Sequence, residues 1–344
     1  MNQLKEKRCL LILEFGIPHY RKFLYQFFQH LFKEFKIIHS GEIFADDPDF
    51  ENRKCYNLKL LKGISLCFFN IFQLRKYDII ISTLNFRKPH TWVPFFIFFK
   101  KDWIFWGQGP GKSRNLILRL LRKVIVNNSL GYVTYTENGK WSLIKNGIHE
   151  QKISVAYNTL KINNSALTSG DNNYLLYVGR IQPRKGLMKV LQAITGTNHQ
   201  LVIVGEGEHL KILNELIELN GLTSQVTVFT SIYEEERLKD IFSNAVAYIS
   251  PDHVGLGVVH SFAYGVPVIT CKNRKHAPEF EYCNDSNSFL YENDSELKSI
   301  ITNVFRDTEA RNKKSRCAYD YYKEFLDFKN AYAAFNYHFN NMIK

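Results

Sequence analysis

The chain has 344 residues, enough for two domains of ordinary size, and its 45% hydrophobic and 15% aromatic residues can form large cores. No apolar run reaches the length of a membrane span, no signal peptide is visible, and the six scattered cysteines form no C-x-x-C pair, so we expect a cytoplasmic protein without a zinc site or a disulfide framework. The net charge of +12 is an excess that attracts anions, such as nucleic acid, anionic lipid or phosphorylated substrates.

The first half alternates apolar strands with helices, which predicts a parallel, doubly wound sheet. A helix over residues 20–35 is expected to bury an aromatic stripe of Phe23, Phe27, Phe28, Leu31, Phe32 and Phe35. Strands are predicted at residues 9–13, 36–39, 77–82, 103–106, 131–135 and 153–156. Helices are predicted at residues 66–74, 92–99, 114–126 and 139–145.

The loop after the first strand holds Gly16, His19 and Arg21. Ligands of open α/β sheets collect at the carboxyl ends of strands, and loops often carry function. These residues are therefore candidates for contact with a substrate. The alternative, that they are only solvated loop residues, stays open.

The helix predicted at residues 114–126 combines apolar and basic residues. Leu116, Leu120, Leu121 and Val124 are expected to face inward and the basic residues outward. Such a basic face is in most proteins merely solvated. Because this half of the chain is rich in aromatic residues, peripheral contact with a membrane is a second interpretation.

A polar stretch without periodicity, residues 161–173, is the predicted linker, and the alternation restarts after it. Strands are predicted at residues 174–178, 200–204, 226–229, 246–250 and 266–270, and helices at residues 187–194, 210–220, 234–243 and 258–264. We therefore predict an α/β architecture of two Rossmann-like, doubly wound domains, residues 1–160 and 174–318, that face each other across a cleft. A helical region over residues 319–344 is expected to pack back across the domains.

Three strand ends in the second half can collect phosphate. The first combines Gly179 and Arg180 with Lys185, the second carries Gly205-Glu206-Gly207, and the third is Gly255-Leu256-Gly257 at the start of a helix, whose free N–H groups attract anions. An arginine would meet a diphosphate with paired hydrogen bonds and a lysine as a point charge. A lone G-x-G motif is most simply a tight turn, but three glycine-bearing strand ends in one sheet are more specific.

These segments resemble a known family. The runs YVGRIQPRKGL, LVIVGEGEHL, VTVFTSIYEEERLKDIFSNA and SPDHVGLGVVHSFAYGVPVIT resemble family 4 retaining glycosyltransferases, which have the GT-B fold; the likeness covers most of residues 174–289. More loosely similar are FGIPHYRKFL, WGQGPG and YTENGKWSLIKNGIHEQKISVAYNT, and HAPEFEY fits the family's last nucleotide-side loop. The resemblance implies a metal-independent enzyme, with no cofactor besides its donor, that transfers a sugar with retention from a nucleotide diphosphate sugar to a glycan or lipid-linked acceptor. It implies a role in bacterial surface polysaccharide or lipopolysaccharide biosynthesis, at the inner face of the cell membrane.

The resemblance also implies roles for single residues. Arg180 and Lys185 would grip the donor diphosphate and stabilise it as the leaving group. Asp252 and His260 stand where the family has two glutamates; the aspartate would bond the sugar hydroxyls and the histidine the ribose, although a satisfied helix histidine is the alternative. Gln108, on the acceptor side, stands where relatives often have histidine. The remaining implied donor contacts are Gly179 and Gly205 at the strand ends that can collect phosphate, Phe229, Thr230 and Ser231 at the base, and Gly255, Leu256, Gly257 and Val258 at the phosphates.

Two other function classes remain as alternatives. One is a different enzyme on the same fold, either a nucleotide-sugar epimerase, which would act without an acceptor, or a glycan phosphorylase, whose pyridoxal lysine has no visible signature here. The other is a non-catalytic binder of anionic membranes or nucleic acid, whose binding would weaken steeply with salt. No zinc-finger or RNP-type pattern accompanies the basic residues, so we expect no nucleic-acid partner.

Overall fold

The computed structural model describes residues 2–43, 50–59, 63–110, 115–167 and 173–340. Contacts divide the chain into a first unit, Met1–Tyr157 with Lys329–Lys344, and a second unit, Asn158–Phe328. The predicted linker over residues 161–173 thus belongs to the start of the second unit. Within the predictions, Gly111, Arg114, residues 168–172 and residues 341–344 lie outside the described residues.

The first unit is built on a seven-stranded parallel sheet with the strand order β3-β2-β1-β6-β7-β8-β9. Between β3 and β6 along the chain, strands β4 and β5 form a separate antiparallel pair. Several strands are buried along their whole length, as expected when helices cover both faces of a parallel sheet. The strands are β1 Arg8–Ile12, β2 Glu34–His39, β3 Glu51–Lys54, β4 Tyr56–Lys59, β5 Ser65–Phe68, β6 Ile79–Ser82, β7 Asp102–Gly107, β8 Gly131–Thr134 and β9 Ile153–Val155.

The C-terminal helix completes the core of the first unit. Phe335 and Phe339 pack their rings edge-on against Phe28, and Phe339 also contacts Phe32. The chain returns to the first unit after leaving the second, and the C-terminal helix buries the aromatic rings of the first helix. The helices involved are α1 Lys22–Leu31, α2 Val93–Ile97, α3 Leu116–Asn127, α4 Glu137–Lys145 and α11 Phe328–Asn340.

Three predictions for the first half are wrong. Residues 66–74 form strand β5 and a 3₁₀ turn, Ile71–Lys76, instead of one helix. The first helix is shorter than residues 20–35, so Phe35 lies in strand β2, and Phe23 is exposed while Leu24 and Tyr25 are buried.

The burial of α3 also differs from the prediction, although Leu121 packs against the core as expected. Leu116, Leu120 and Val124 are exposed by half or more, and the buried side chains are Ile125 and Val126 at the end of the helix. Helical spacing identifies an apolar stripe but does not say what covers it. None of the helices that the structure describes has the length and apolar character to span a bilayer.

The second unit is built on a six-stranded parallel sheet with the order β12-β11-β10-β13-β14-β15, which together with the first sheet confirms the predicted pair of Rossmann-like units. The predicted strands at residues 174–178, 200–204 and 226–229 are confirmed. Its strands are β10 Tyr174–Val178, β11 Gln200–Val204, β12 Val226–Phe229, β13 Ala245–Ile249, β14 Val268–Cys271 and β15 Ser288–Tyr291. Its helices are α5 Leu187–Ile194, α6 Leu210–Leu219, α7 Glu235–Ser243, α8 Gly257–Ala263, α9 Leu297–Arg306 and α10 Thr308–Tyr321.

Candidate active site

The second sheet has a topological switch point between β10 and β13. Strand β10 pairs with β11 on one side and with β13 on the other, so the chain segments leaving β10 and β13 turn to opposite faces. A crevice forms at the carboxyl ends of two such strands. The segment after β10 carries Arg180 and Lys185, and the segment after β13 carries the Gly255 loop, which we define as residues 252–257.

Gly257 is required where the loop passes over the sheet. A Cβ at this position would overlap the hydroxyl of Tyr248, which donates a hydrogen bond to the carbonyl oxygen of Val178 at 3.1 Å. Backbone atoms of the loop therefore lie directly over the ends of β10 and β13. The closeness of the approach explains this glycine.

Gly205 has a different explanation. Its φ of 151° is one that side chains disfavour, and a Cβ there would overlap the carbonyl oxygen of Gly179. The amide of Gly179 in turn donates to Val204 O at 2.9 Å. These glycines let two neighbouring strand ends pass each other.

Lys185 is the centre of the positive charge at the crevice. Its ammonium donates to the carbonyl oxygen of His253 at 3.0 Å and lies 3.7 Å from the position that a Cβ of Gly255 would take. Burial and the neighbouring Arg184 lower the pKa of Lys185 to about 8, Arg180 adds to the lowering, and Glu279 opposes it. Several cations are therefore crowded around the Gly255 loop, which is the arrangement that an anion would stabilise.

Arg180 is exposed, and its backbone is held in place by Tyr177, whose hydroxyl donates to the Arg180 carbonyl oxygen at 2.7 Å. The charge of Arg180 acts on Lys185, and Lys185 contacts the Gly255 loop, so the three predicted features lie near one another.

The amides of the loop are only partly available. Three amides, those of residues 256–258, were predicted to meet phosphate. One of them, Val258 N, already donates a hydrogen bond to the carbonyl oxygen of Gly255 at 3.1 Å. The amides of Leu256 and Gly257 have no partner among the described residues.

Asp252 lies in an ion-pair cluster. Its Oδ1 is 2.7 Å from Lys189 Nζ and 2.9 Å from Arg274 Nε, and Asp294 bridges the same two cations at 3.1 and 2.8 Å. Nothing in the sequence pointed to these partners of Asp252. The predicted contact of Asp252 with sugar hydroxyls stays a prediction, with one carboxylate oxygen already between two cations.

His260 lies on α8 and stacks on Phe242, with ring centroids 5.8 Å apart. Burial lowers the pKa of His260 to about 4, against an opposing effect of Glu235, so the ring is neutral at pH 7. Its Nδ1 is buried and has no hydrogen-bond partner among the described residues. The predicted contact of His260 with the ribose stays a prediction, and so does the alternative of a helix histidine.

Two further polar residues, which the sequence did not single out, interact with the cations at the crevice. Glu279 is 5% exposed, accepts a hydrogen bond from Asn158 Nδ2 at 2.6 Å and acts electrostatically on Lys185. His253 Nε2 is 2.8 Å from Arg184 Nη1, and burial, Lys185 and Arg184 lower the pKa of His253 to about 4. The only sequence signal for any of them was the HAPEFEY stretch, which contains Glu279.

His276 fixes the Gly255 loop from behind. Its Nδ1 accepts from Val254 N at 3.0 Å and its Nε2 donates to the Cys271 carbonyl oxygen at 2.6 Å, while its ring stacks on Phe280 at 4.1 Å. Both nitrogens are thus assigned and the ring is neutral. Burial lowers the pKa of His276, in keeping with that state.

The predicted base-binding residues lie at the end of β12. The carbonyl oxygen of Phe229 accepts from Gly205 N at 3.0 Å, and the guanidinium of Arg237 lies 5.9 Å from the Phe229 ring centroid. Thr230 is exposed and Ser231 is half-buried. The end of β12 therefore continues the same sheet edge as Gly205.

The residues predicted on the acceptor side lie in the first unit. Gly16 packs against the backbone of Glu42, which accepts from Ile17 N at 2.9 Å. His19 and Gln108 are exposed.

Arg21 is not a solvated loop residue, because its guanidinium lies 4.3 Å from the ring centroid of Trp106 and Nη2 donates to Tyr135 Oη at 2.6 Å. In the described part of the chain, no group of three or more His, Cys, Asp or Glu side chains is placed to hold a metal ion.

Comparison with solved structures defines the class of fold. A glycosyltransferase from Rickettsia africae matches with a TM-score of 0.75 at 14% identity, over 98% of this chain and 99% of that chain. HepE of Anabaena in complex with UDP matches with a TM-score of 0.72 at 14% identity, over 97% of this chain and 100% of that chain. The lipopolysaccharide outer core galactosyltransferase WaaB in its apo form matches with a TM-score of 0.69 at 14% identity, over 97% of this chain and 99% of that chain. The chain has the GT-B fold.

The sequence of the second unit points to the same class. Residues 159–321 match the family model of glycosyl transferases group 1. No curated protein matches the chain. The predicted resemblance to GT-B glycosyltransferases is confirmed, by fold along the chain and by family in the second unit.

Proposed function

We propose that this protein is a retaining glycosyltransferase that transfers a sugar from a nucleotide diphosphate sugar to a glycan or lipid-linked acceptor. The observation that carries the proposal is Lys185, whose ammonium lies against the Gly255 loop at the switch point of the second sheet, with Arg180 and Arg184 as cationic neighbours. The family match of the same unit and the fold support glycosyl transfer as the activity.

The chemistry follows from the charge that the reaction produces. When the glycosidic bond to the diphosphate breaks, negative charge develops on the leaving phosphate. Preorganised cations in a partly dry crevice stabilise that charge more than they stabilise the ground state. Arg180 would bind phosphate oxygens through two N–H groups and Lys185 as a point charge. The departing phosphate would take the proton of the acceptor hydroxyl, so that the reaction uses no protein nucleophile, no metal and no cofactor besides the donor.

The base and ribose would lie along the same sheet edge. Residues 229–231 would face the base, and the neutral ring of His260 could accept from a ribose hydroxyl or donate to its oxygen through one nitrogen. UDP-sugars are the first donors to test, since HepE is described in complexes with UDP and with UDP-glucose. A role in surface polysaccharide or lipopolysaccharide biosynthesis accords with the resemblance to WaaB.

The test is donor binding and turnover by the full chain. Arg180→Ala and Lys185→Ala are each expected to lower UDP affinity about tenfold or more, the usual effect of losing a charged hydrogen bond, and to abolish transfer from UDP-sugars. Lys211→Ala is the matched control, because Lys211 is 90% exposed and pairs only loosely with Glu215 at 3.9 Å. Full activity of both active-site variants would contradict the proposal, and racemising or epimerising turnover without an acceptor would favour the epimerase.

We also infer that α3 contacts the anionic inner face of the cell membrane, where a lipid-linked acceptor would be found. Leu116, Ile117, Leu120 and Val124 are 64%, 74%, 53% and 50% exposed, and Arg119, Arg122 and Lys123 lie on the same helix. Apolar side chains flanked by basic ones are what an interfacial helix uses to bind anionic lipid.

Sedimentation with vesicles tests this contact. The wild-type chain should bind vesicles that contain phosphatidylserine and bind neutral phosphatidylcholine vesicles less. The double variant Ile117→Glu and Leu120→Glu should lose most of this binding. Leu219→Glu in the second unit is the control, because Leu219 is equally apolar and 82% exposed. Equal loss in the control, or none in the double variant, would rule out docking through α3.

A further inference from the structure

The first sheet has its own switch point, between β1 and β6. Strand β1 pairs with β2 on one side and with β6 on the other. The segment after β1 leads through Glu14 to Arg21, and the segment after β6 leads to Asn85 and Lys88. The carboxyl ends of β1 and β6 therefore bring these polar side chains to one crevice.

Arg21 lies in an aromatic box. Its guanidinium carbon is 4.3 Å from the ring centroid of Trp106, 5.3 Å from that of Tyr135 and 5.4 Å from that of Tyr20. Nη2 donates to the Tyr135 hydroxyl at 2.6 Å. Nε of Arg21 and Nε1 of Trp106 are buried and have no partner among the described residues, and both are hydrogen-bond donors. The buried hydroxyl of Tyr25, which acts electrostatically on Arg21, is also without a partner among the described residues, so the box holds two unmet N–H donors and one unmet hydroxyl.

The positive charge of Arg21 has no direct counter-ion. Among the residues that the structure describes, no carboxylate lies within 4.0 Å of the guanidinium. Burial raises the pKa of the Tyr135 phenol, so that hydroxyl stays neutral and does not offset the charge. A guanidinium is charged at all physiological pH values, and a desolvated charge without a partner is costly.

The nearest acid does not remove this imbalance. Glu14 accepts a hydrogen bond from Asn85 Nδ2, and burial raises the pKa of Glu14 although Asn85, Lys88 and Arg21 oppose the rise. Lys88 adds a second cation, whose ammonium lies 5.6 Å from the ring centroid of Phe15. The crevice thus holds two cations, one partly desolvated carboxyl group and several aromatic faces.

We propose that Arg21 binds an anionic group of the acceptor, so that the acceptor is a glycan with a carboxylate or phosphate substituent. The inference rests on the proposed function, which requires an acceptor, and it adds the chemical class. Both groups match the paired N–H geometry of a guanidinium. The rings of Trp106 and Tyr135 already fix the guanidinium plane, so little side-chain freedom is lost on binding.

Calorimetric titration of the full chain tests the proposal and separates the two anionic groups. The probes are methyl β-D-glucuronide for the carboxylate, glucose 6-phosphate for the phosphate, and methyl β-D-glucoside as the neutral counterpart. At least one acidic probe is expected to bind, and the neutral one at least about tenfold more weakly. The tighter acidic probe then identifies the group.

Variants assign the binding to Arg21. Arg21→Gln should lose about tenfold or more in affinity for the acidic probe. Arg21→Lys should lose less, because lysine keeps the positive charge although it lacks the paired N–H groups of the guanidinium. Arg75→Gln is the matched control, since Arg75 also lies over an aromatic ring, Phe72, but is exposed. Arg21→Lys carries the test if the glutamine variant fails to fold, as judged by its thermal melt.

Three results would overturn the inference: equal binding of acidic and neutral probes, no binding of any probe, or equal losses in the Arg21 and Arg75 variants. The proposed function fails separately, because UDP binding by the second unit needs no acceptor. Normal UDP binding with no preference for acidic probes would reject only the acceptor class.

Discussion

The ammonium of Lys185 donates a hydrogen bond to the carbonyl oxygen of His253 at 3.0 Å, which ties the turn before α5 to the loop before α8. A cation in the segment after β10 is thus held against the segment after β13. Any anion that enters between them replaces part of the hydration that burial has removed from Lys185. The charge state of this lysine therefore controls the site.

UDP binding should depend on pH through Lys185. Its pKa in the free protein is lowered to about 8, so the ammonium is present below that pH and is lost as the pH rises through it. We expect UDP affinity to fall above pH 8, as the ammonium is lost. Lys185→Arg should keep its affinity over the same range, because arginine stays protonated. Titrations of both proteins from about pH 6.5 to 9.5 check this, and parallel curves would contradict it.

Removing the acid near Lys185 should move that transition. Glu279 opposes the lowering of the Lys185 pKa, so Glu279→Gln should lower the pKa further and move the loss of UDP binding to lower pH. The same titration measures the shift. Glu215→Gln serves as the control, since Glu215 lies at the surface and pairs with exposed Lys211 at 3.9 Å. A transition that moves upward, or moves equally in both variants, would show that Glu279 does not act on Lys185.

The ion-pair cluster at Asp252 should contribute to stability. Asp252→Asn removes one of the two carboxylates that compensate Lys189 and Arg274. Because the three side chains are partly exposed, we expect the free energy of unfolding to fall by about 1 to 2 kcal/mol. Asp285→Asn, whose side chain is 83% exposed, should change stability little. Denaturant unfolding measures both. Unchanged stability combined with lost turnover would instead favour the predicted contact with sugar hydroxyls.

Gly257 and Tyr248 should behave as a coupled pair. Gly257→Ala places a methyl group against the Tyr248 hydroxyl, and we expect about 1 to 3 kcal/mol of destabilisation. Tyr248→Phe removes that hydroxyl, along with its bond to Val178. The double variant should therefore be less destabilised than the sum of the single variants. Thermal melts of the four proteins give the coupling, and strict additivity would show that the overlap is relieved elsewhere.

The second unit was the more predictable half. Its first three strands are short apolar runs, and glycine follows two of them, so β10, β11 and β12 were predicted to the residue. The strand ends with Arg180, Lys185 and Gly255 followed from the alternation of strands and helices. In the first unit, local pattern failed at residues 66–74, where an apolar run long enough for a helix forms a strand and a 3₁₀ turn. Periodicity alone does not separate a short buried strand from a helix.

The sequence by itself determined the fold class, the glycines at three strand ends and the basic residues at one of them, because these depend on neighbours along the chain. Only the tertiary structure decided what surrounds them. Asp252 meets Arg274, and Arg21 meets Trp106 and Tyr135, through contacts between distant segments. It also decided which side of α3 is covered, since a helix has an apolar stripe whether or not another element packs on it.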